Sequence, residues 1–362
     1  IALHLLARQC TLRNQGALYT RIMKTYEDYS LLHENTFGID QKCDRFVVYD
    51  STDDAVAIAR EGLTAPLLIL GGGSNLLLTR DFHGTVVTPA RRFEAEVLPH
   101  NEGSDAVLLR CWAGTTFDEV VDYAVDNDWH GLENLSLIPG QCGASAVQNI
   151  GAYGAEIKDV LVDIEAVELA TGKVVTIAAA ACDYRYRHSR FKAEWKDRYL
   201  ITYVTFRLSA TFRPRLDYGN IRQVLAERNI AEDELTARQL RDAVIDIRRA
   251  KLPDPAEMGN AGSFFMNPVV DKATFESLRS RFPDLRFFEH GDSYKIPAGW
   301  MIEQCGWKGR SLGRAGVHDK QALVIVNRGG ATGAEVVALM QAIQRDVLAR
   351  YGLHIQPEVN IR

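Results

Sequence analysis

The segment NAGSFFMNP, 260–268, sets one serine hydroxyl, Ser263, between Gly262 and a Phe-Phe-Met run. Neighbours of that kind shield a hydroxyl from water, and a shielded hydroxyl needs a partner or a chemical task. Two tasks are open to it: capping the turn that Gly-Ser commonly makes, or handing a proton to a reacting atom. A second stretch, DYRYRHSRFK at 183–192, gathers Arg185, Arg187, His188, Arg190 and Lys192 beside tyrosines. Guanidinium groups suit carboxylates and phosphates, but the same run reads equally as a solvated strand face or a nucleic-acid patch. Glu358 in QPEVNIR could orient a ligand or stand as a solvated acid in a late strand.

Two glycine-rich segments suggest what such groups would act on. In LLILGGGSNLLLT, 67–79, Gly71, Gly72 and Gly73 follow an apolar strand-like run, and Ser74 and Asn75 come next. Consecutive glycines let backbone N–H groups turn inward and approach a phosphate closely, with a plain tight turn as the alternative. A GxGxxG fingerprint must open a helix, whereas another apolar strand-like run follows here, so a dinucleotide would be held by loops. In IPGQCGASAVQNIGAYGAEI, 138–157, Gly140, Gly143, Gly151 and Gly154 alternate with small residues. Such a run is expected to pack no conventional core and to lie along a flat ligand, with strands flanking both segments.

The chain must position these groups with 362 residues, enough for two or three domains. With 42 basic against 47 acidic residues it has no overall bias toward nucleic acid, so an anion site must be local. No apolar run approaches the ~20 residues of a membrane span. The six cysteines are scattered without CxxC or a Cys/His cluster, which favours reduced thiols over disulfides and predicts no metal site. Residues 1–22 carry Arg8, Arg13 and Arg21 and no acid, and are expected to be a leader ahead of Met23, with an organelle-type transit peptide as the alternative.

The spacing predicts α+β mixing. RFVVY (45–49), PLLIL (66–70) and GTVVT (84–88) read as strands, and STDDAVAIAREG as a helix capped by Ser51 or Thr52 and stopped by Gly62. A second helix is expected from Thr115, with Asp118 as its capping-box acid, to Gly131. Residues 160–208 read as a strand-rich return, and a helix over roughly 236–250 stops at KLPDP, where Pro253 and Pro255 mark a boundary. A smaller unit follows, ending in a helix stopped by Gly352, and LHIQPEVNIR reads as a strand returning to an earlier domain.

GGGSN together with IPGQCGASAVQNIGAYG resembles the FAD-binding half of the UDP-N-acetylenolpyruvoylglucosamine reductase (MurB) family of peptidoglycan synthesis, with the likeness running from about Asn35 onward. The resemblance implies a two-part α+β FAD module of the vanillyl-alcohol-oxidase type plus a smaller α+β substrate domain. The implied boundaries are 23–90 with 352–362, 91–252, and 253–351. It implies FAD held by Gly71, Gly72, Gly73, Ser74, Asn75, Pro139, Gly140, Gly143, Ala144, Ser145, Asn149, Gly151, Tyr153 and Gly154. NADPH is the implied reductant, and the implied reaction takes hydride through flavin N5 to C3 of an enolpyruvyl ether, with a proton delivered to C2.

By the same resemblance Ser263 supplies that proton, Arg187 with Tyr186 polarises the substrate carboxylate, and Glu358 helps orient it. A glutamate beside that carboxylate is expected to be raised in pKa. Tyr218 matches the tyrosine loop of the long-form members, and Lys251 and Asn267 match substrate ligands. A packing tyrosine, a lysine at a helix C-terminus and an Asn-Pro turn are their alternatives. The chain departs from relatives at Arg328, where some carry an acid, and at Phe287 and Phe288, where a tyrosine is expected. A small-molecule enzyme without nucleic-acid or membrane partners, monomeric and in the bacterial cytoplasm, is the implied setting. Two rivals stay open: an oxidase on the same module, with His130 available to attach the flavin, and a non-catalytic UDP-sugar binder.

Overall fold

The computed structural model describes residues 8–14, 17–99 and 105–362. The expected leader falls partly outside them, at 1–7 and 15–16; the remainder enters an antiparallel strand pair that sets Arg8 opposite Met23. The chain divides into two compact units. The first holds residues up to Tyr29, Cys43–Gly72 and His83–Ala250; the second holds Ser30–Lys42, Gly73–Phe82 and Lys251–Arg362.

The first unit carries two five-stranded sheets. One runs in the order Arg8–Asn14, Ala17–Ser30, Lys42–Tyr49, Phe82–Pro89, Leu67–Ile69, the last pair parallel. The other is antiparallel, Lys173–Ala178, Leu161–Glu168, Tyr199–Ser209, Ala106–Trp112, Ala95–Leu98. Helix Thr52–Glu61 buries Ala55 and Ile58 beside Val47, Tyr49, Val167 and Leu200. Ser51 is its cap, accepting from the Asp54 amide at 3.1 Å, and Gly62 ends it at φ 79°. Helices Ile221–Glu227 and Ala237–Lys251 share a separate core through Ile221, Leu225, Leu240, Val244 and Ile247.

Two expectations fail in this unit. The second helix spans Phe117–Asp126, and no side chain caps it. Thr115 instead donates to the carbonyls of Arg92 at 3.1 Å and Glu94 at 3.2 Å. Asp118 accepts from the Leu137 amide and, through both oxygens, from the buried Arg241 at 2.7 and 3.0 Å. Partners outside the helix have taken the groups a local capping box would use. The second glycine-rich run also does enter a core: Cys142–Gln148 is a short helix, and Cys142, Ala146 and Ala155 are buried with Phe117, Val120 and Phe206. Its small residues permit close packing on a neighbour; a Cβ on Gly143 would meet Ala113 Cβ at 2.9 Å. A 3-10 turn at Glu133–Leu135 precedes it, the two-residue strands Gly151–Ala152 and Ala155–Glu156 lie within it, and a 3-10 turn at Ile157–Asp159 leads from it into strand Leu161–Glu168.

The second unit has a four-stranded sheet, Asn260–Ser263, Val324–Asn327, Ala315–Val317, Ser311–Leu312, and a three-stranded one, Val269–Val270, Ser293–Lys295, Phe288–His290. Its long helix, Gly333–Tyr351, opens with a capping box between Thr332 and Glu335 and ends at Gly352, left-handed at φ 73°. The closing strand Asn360–Ile361 pairs in parallel with Leu76–Leu77, so the tail returns to the segment after the triple glycine.

Candidate functional site

In the first unit the two glycine-rich segments meet. A Cβ on Gly71 would lie 2.9 Å from Ala144 Cβ, and one on Gly72 3.1 Å from Gly140 Cα. A side chain at Gly71 would clash, and one at Gly72 would force its neighbour to give way. Pro139 leads into Gly140, whose carbonyl accepts the Phe117 amide at 3.0 Å. Ser145 and Asn149 are occupied internally: the Ser145 hydroxyl donates to Cys142 O at 2.6 Å. Asn149, left-handed at φ 46°, donates to Arg185 O at 3.0 Å and accepts from the Lys158 amide at 3.2 Å. These bonds fix the conformation of the segment around the two side chains.

Arg187 sits in a tight turn. Arg185 and His188 exchange backbone hydrogen bonds at 3.1 and 3.0 Å, leaving Tyr186 and Arg187 at the tip. Arg187 has φ 54°, a left-handed conformation that usually falls to glycine at this turn position. Its Nη2 donates to Gly151 O at 3.0 Å, and its guanidinium lies 5.4 Å from the Tyr186 ring centroid. An arginine held where glycine is favoured is strain of the kind that collects at functional sites. Tyr218 is half exposed and packs against Gly154, where a Cβ would meet it at 3.3 Å. Burial pushes the Tyr153 phenol up, while the nearby Arg248 pulls it down.

In the second unit Ser263 ends a strand whose register shifts between Asn260 and Ser263. Gly262 takes φ 68° there, and the buried Asn260 accepts its amide at 2.9 Å. Such an irregularity re-aims the side chain that follows, and Ser263 is half-buried as the flanking aromatics suggest. The next residues pair with the tail: the Glu358 amide donates to Phe264 O at 2.8 Å and the Met266 amide to Gln356 O at 2.9 Å. Ser263 and Glu358 therefore lie on two segments joined by the antiparallel bridge between Phe265 and Pro357. Asn75 holds that tail from the other side, donating to Glu358 O at 3.3 Å and accepting the Asn360 amide at 3.1 Å. Gly73, at φ 66°, is seated so closely that a Cβ would come 2.0 Å from Glu34 O, and Ser74 follows it, half-buried. Asn267 Oδ1 accepts the Ala298 amide at 2.8 Å, and Lys251 is the exposed last residue of its helix.

The first unit thus carries Arg187, Tyr186, Tyr218 and the 139–154 segment, and the second carries Ser263, Glu358, Asn267, Lys251 and Gly73–Asn75. Sequence reasoning missed three groups. Gln141 Oε1 and Gln148 Oε1 are buried acceptors with no partner, bracketing the small-residue helix. Arg248 has a buried, unpartnered Nε and a pKa lowered by burial, and it precedes Lys251 by one helical turn, a spacing that could have flagged it. Of the departures, Arg328 is engaged with Asp319 at 2.8 Å, while Phe287 packs 4.6 Å from Phe275, on which Tyr294 stacks at 3.9 Å. His130 is buried beside Glu133, 3.1 Å from its carboxylate, with its ring against Phe212.

Residues 44–178 match the family described as FAD binding domain, and residues 254–362 match UDP-N-acetylenolpyruvoylglucosamine reductase, C-terminal domain. A UDP-N-acetylenolpyruvoylglucosamine reductase from Bacteroides fragilis is 50% identical over 336 residues, covering 92% of this chain and 99% of that protein. One from Burkholderia ambifaria is 48% identical, covering 91% and 95%. The crystal structure of UDP-N-acetylenolpyruvylglucosamine reductase (MurB) from Thermus caldophilus has the same fold, with TM-score 0.63 at 20% identity over 94% of this chain and 98% of that one. An α+β FAD module followed by a smaller α+β domain is the architecture the motifs led one to expect. By overall identity and by domain order, this chain belongs to the UDP-N-acetylenolpyruvoylglucosamine reductase family.

Proposed function

We propose that this chain is an NADPH-dependent flavoenzyme that reduces enolpyruvyl-UDP-N-acetylglucosamine to UDP-N-acetylmuramate for peptidoglycan synthesis. The observation that carries the reading is Ser263 at an irregular strand end beside the tail bearing Glu358, within the reductase C-terminal match. The cradle fits FAD: glycine backbone meets glycine backbone at Gly72 and Gly140, and the buried Gln141 amide oxygen beside it has no donor from the protein. Gly71–Asn75 and the 139–154 segment would hold the dinucleotide, chiefly through backbone N–H groups. When bound and reduced by NADPH, FAD would supply the hydride for C3 of the enolpyruvyl group.

The chain's own residues do the rest. Negative charge builds at C2 and its carboxylate as C3 is reduced. Arg187, at the tip of its turn and braced on Gly151 O, offers that carboxylate a planar fork. Glu358 orients the same carboxylate, and Ser263 gives its hydroxyl proton to C2. A serine is a weak acid, but an enolate carbon is a strong base and the strand fixes the donor in place. Tyr218, Lys251 and Asn267 hold the nucleotide-sugar, with Arg248 a further cation beside Tyr153. The domain boundaries 23–90 with 352–362, 91–252 and 253–351 belong to the same proposal, as does a monomer in the bacterial cytoplasm. Among the described residues no helix is long and apolar enough to cross a membrane.

Anaerobic mixing with NADPH, followed by enolpyruvyl-UDP-N-acetylglucosamine, tests the reading. Flavin absorbance should bleach and then recover. A protein that bleaches without recovering on that addition would sink the substrate assignment, and a colourless protein the whole reading.

A further inference from the structure

Gln141 stands between Gly140 and the first residue of the helix Cys142–Gln148. Its backbone is fixed: extended at φ −116° and ψ 159°, bridged to Thr116, with its carbonyl accepting the Ser145 amide at 2.9 Å. The side chain is 4% exposed and lies against the first glycine-rich segment. Its Oε1 would be 3.4 Å from a Cβ on Gly71, and its Cγ 3.9 Å from one on Gly72. Nothing donates to that oxygen. A sealed amide oxygen without a donor is costly, and an apolar side chain of the same size would be cheaper to fold there. The residue occupies the place where both halves of the cradle touch, inside the FAD-binding match.

We infer that the Gln141 carboxamide takes a hydrogen bond from bound FAD and thereby sets how tightly the cofactor is held. The inference rests on the FAD reading above. FAD offers ribityl hydroxyls, the flavin imide N–H and the adenine amino group as donors, and any of them completes an acceptor the protein leaves open. The residue is a binding group; it carries no proton in the reaction.

The test uses holoenzyme of the wild type, Gln141→Leu and Gln141→Met, two side chains of similar volume of which leucine has no acceptor and methionine only a weak thioether sulfur. Flavin fluorescence on serial dilution gives the FAD dissociation constant, and melting with and without excess FAD gives the stability of each form. Both variants should bind FAD about tenfold more weakly, about 1.4 kcal/mol, while their cofactor-free forms melt no lower than the wild type. Equal dissociation constants in wild type and both variants overturn the inference and leave the FAD reading intact. A wild type that holds no FAD at all overturns both.

Discussion

Arg187 donates from Nη2 to the carbonyl of Gly151 at 3.0 Å, and it does so from a backbone at φ 54°. The contact joins the basic turn to the second glycine-rich segment, so the group proposed for the substrate carboxylate is braced on the segment proposed for the flavin. Replacing it separates strain from function. Glycine relieves the left-handed conformation, roughly 1–2 kcal/mol, and loses chain entropy of similar size. Arg187→Gly should therefore unfold within about 1 kcal/mol of wild type in urea, while substrate-driven flavin reoxidation slows by about a hundredfold or more.

Ser263→Ala should leave bleaching by NADPH at the wild-type rate and slow recovery by about 10²–10⁴-fold, the range for a lost general acid. Stopped-flow absorbance of each half-reaction is the measurement. Equal slowing of both halves would point to a structural role for the hydroxyl.

Gly262 makes the irregularity without any steric crowding: a Cβ there would meet nothing within 4 Å. The cost of Gly262→Ala is then purely conformational, about 1 kcal/mol for a left-handed L-residue. If the bend aims Ser263, the variant should also slow reoxidation by substrate out of proportion to its small loss in urea midpoint.

Arg241 is buried and forks onto Asp118 while its Nε reaches Asp122 at 3.0 Å. Asp118→Ala should cost about 3 kcal/mol, since it strips one carboxylate from a buried cation. Denaturant unfolding would show it as a shift in midpoint at constant slope.

Glu165 gives a pH dependence. Burial would raise its pKa, but donors Thr202 at 2.7 Å, Thr52 at 2.9 Å and Arg110 at 2.9 Å outweigh burial and hold it below the usual carboxylate range. A depressed folded pKa stabilises the protein above the unfolded value of about 4.3 and loses that contribution as pH falls through the folded value. Glu165→Gln should therefore be less stable than wild type at pH 7, with the gap closing below about pH 4.

Much of this was legible in the residues, and the exceptions have a common cause. Ser51, Gly62 and Gly352 signalled helix ends correctly because caps are local interactions. Thr115 and Asp118 carried the same kind of signal and misled, because partners more than a hundred positions away in the case of Arg241 claimed the carboxylate. The small residues of 142–146 looked unfit for a core, yet smallness is what lets a helix approach the end of an interior strand to glycine distance. The cradle, the basic turn and Ser263 were visible as motifs. Gln141 was not: an orphaned acceptor exists only once its surroundings are folded around it.

The tail pairing also bears on modularity. Strand Asn360–Ile361 needs Leu76–Leu77 beside it, a Cβ on Gly333 would strike Leu78 O at 2.0 Å, and Thr36 donates to Asn260 O at 2.6 Å. The stretch 254–362 recognised as a C-terminal domain is thus incomplete as a folding cassette. Excised by itself it would expose a raw strand edge and an empty seat under its longest helix. Anyone grafting it onto another flavoprotein would have to transplant 30–42 and 73–82 along with it, so this half of the enzyme is inherited in three pieces or not at all.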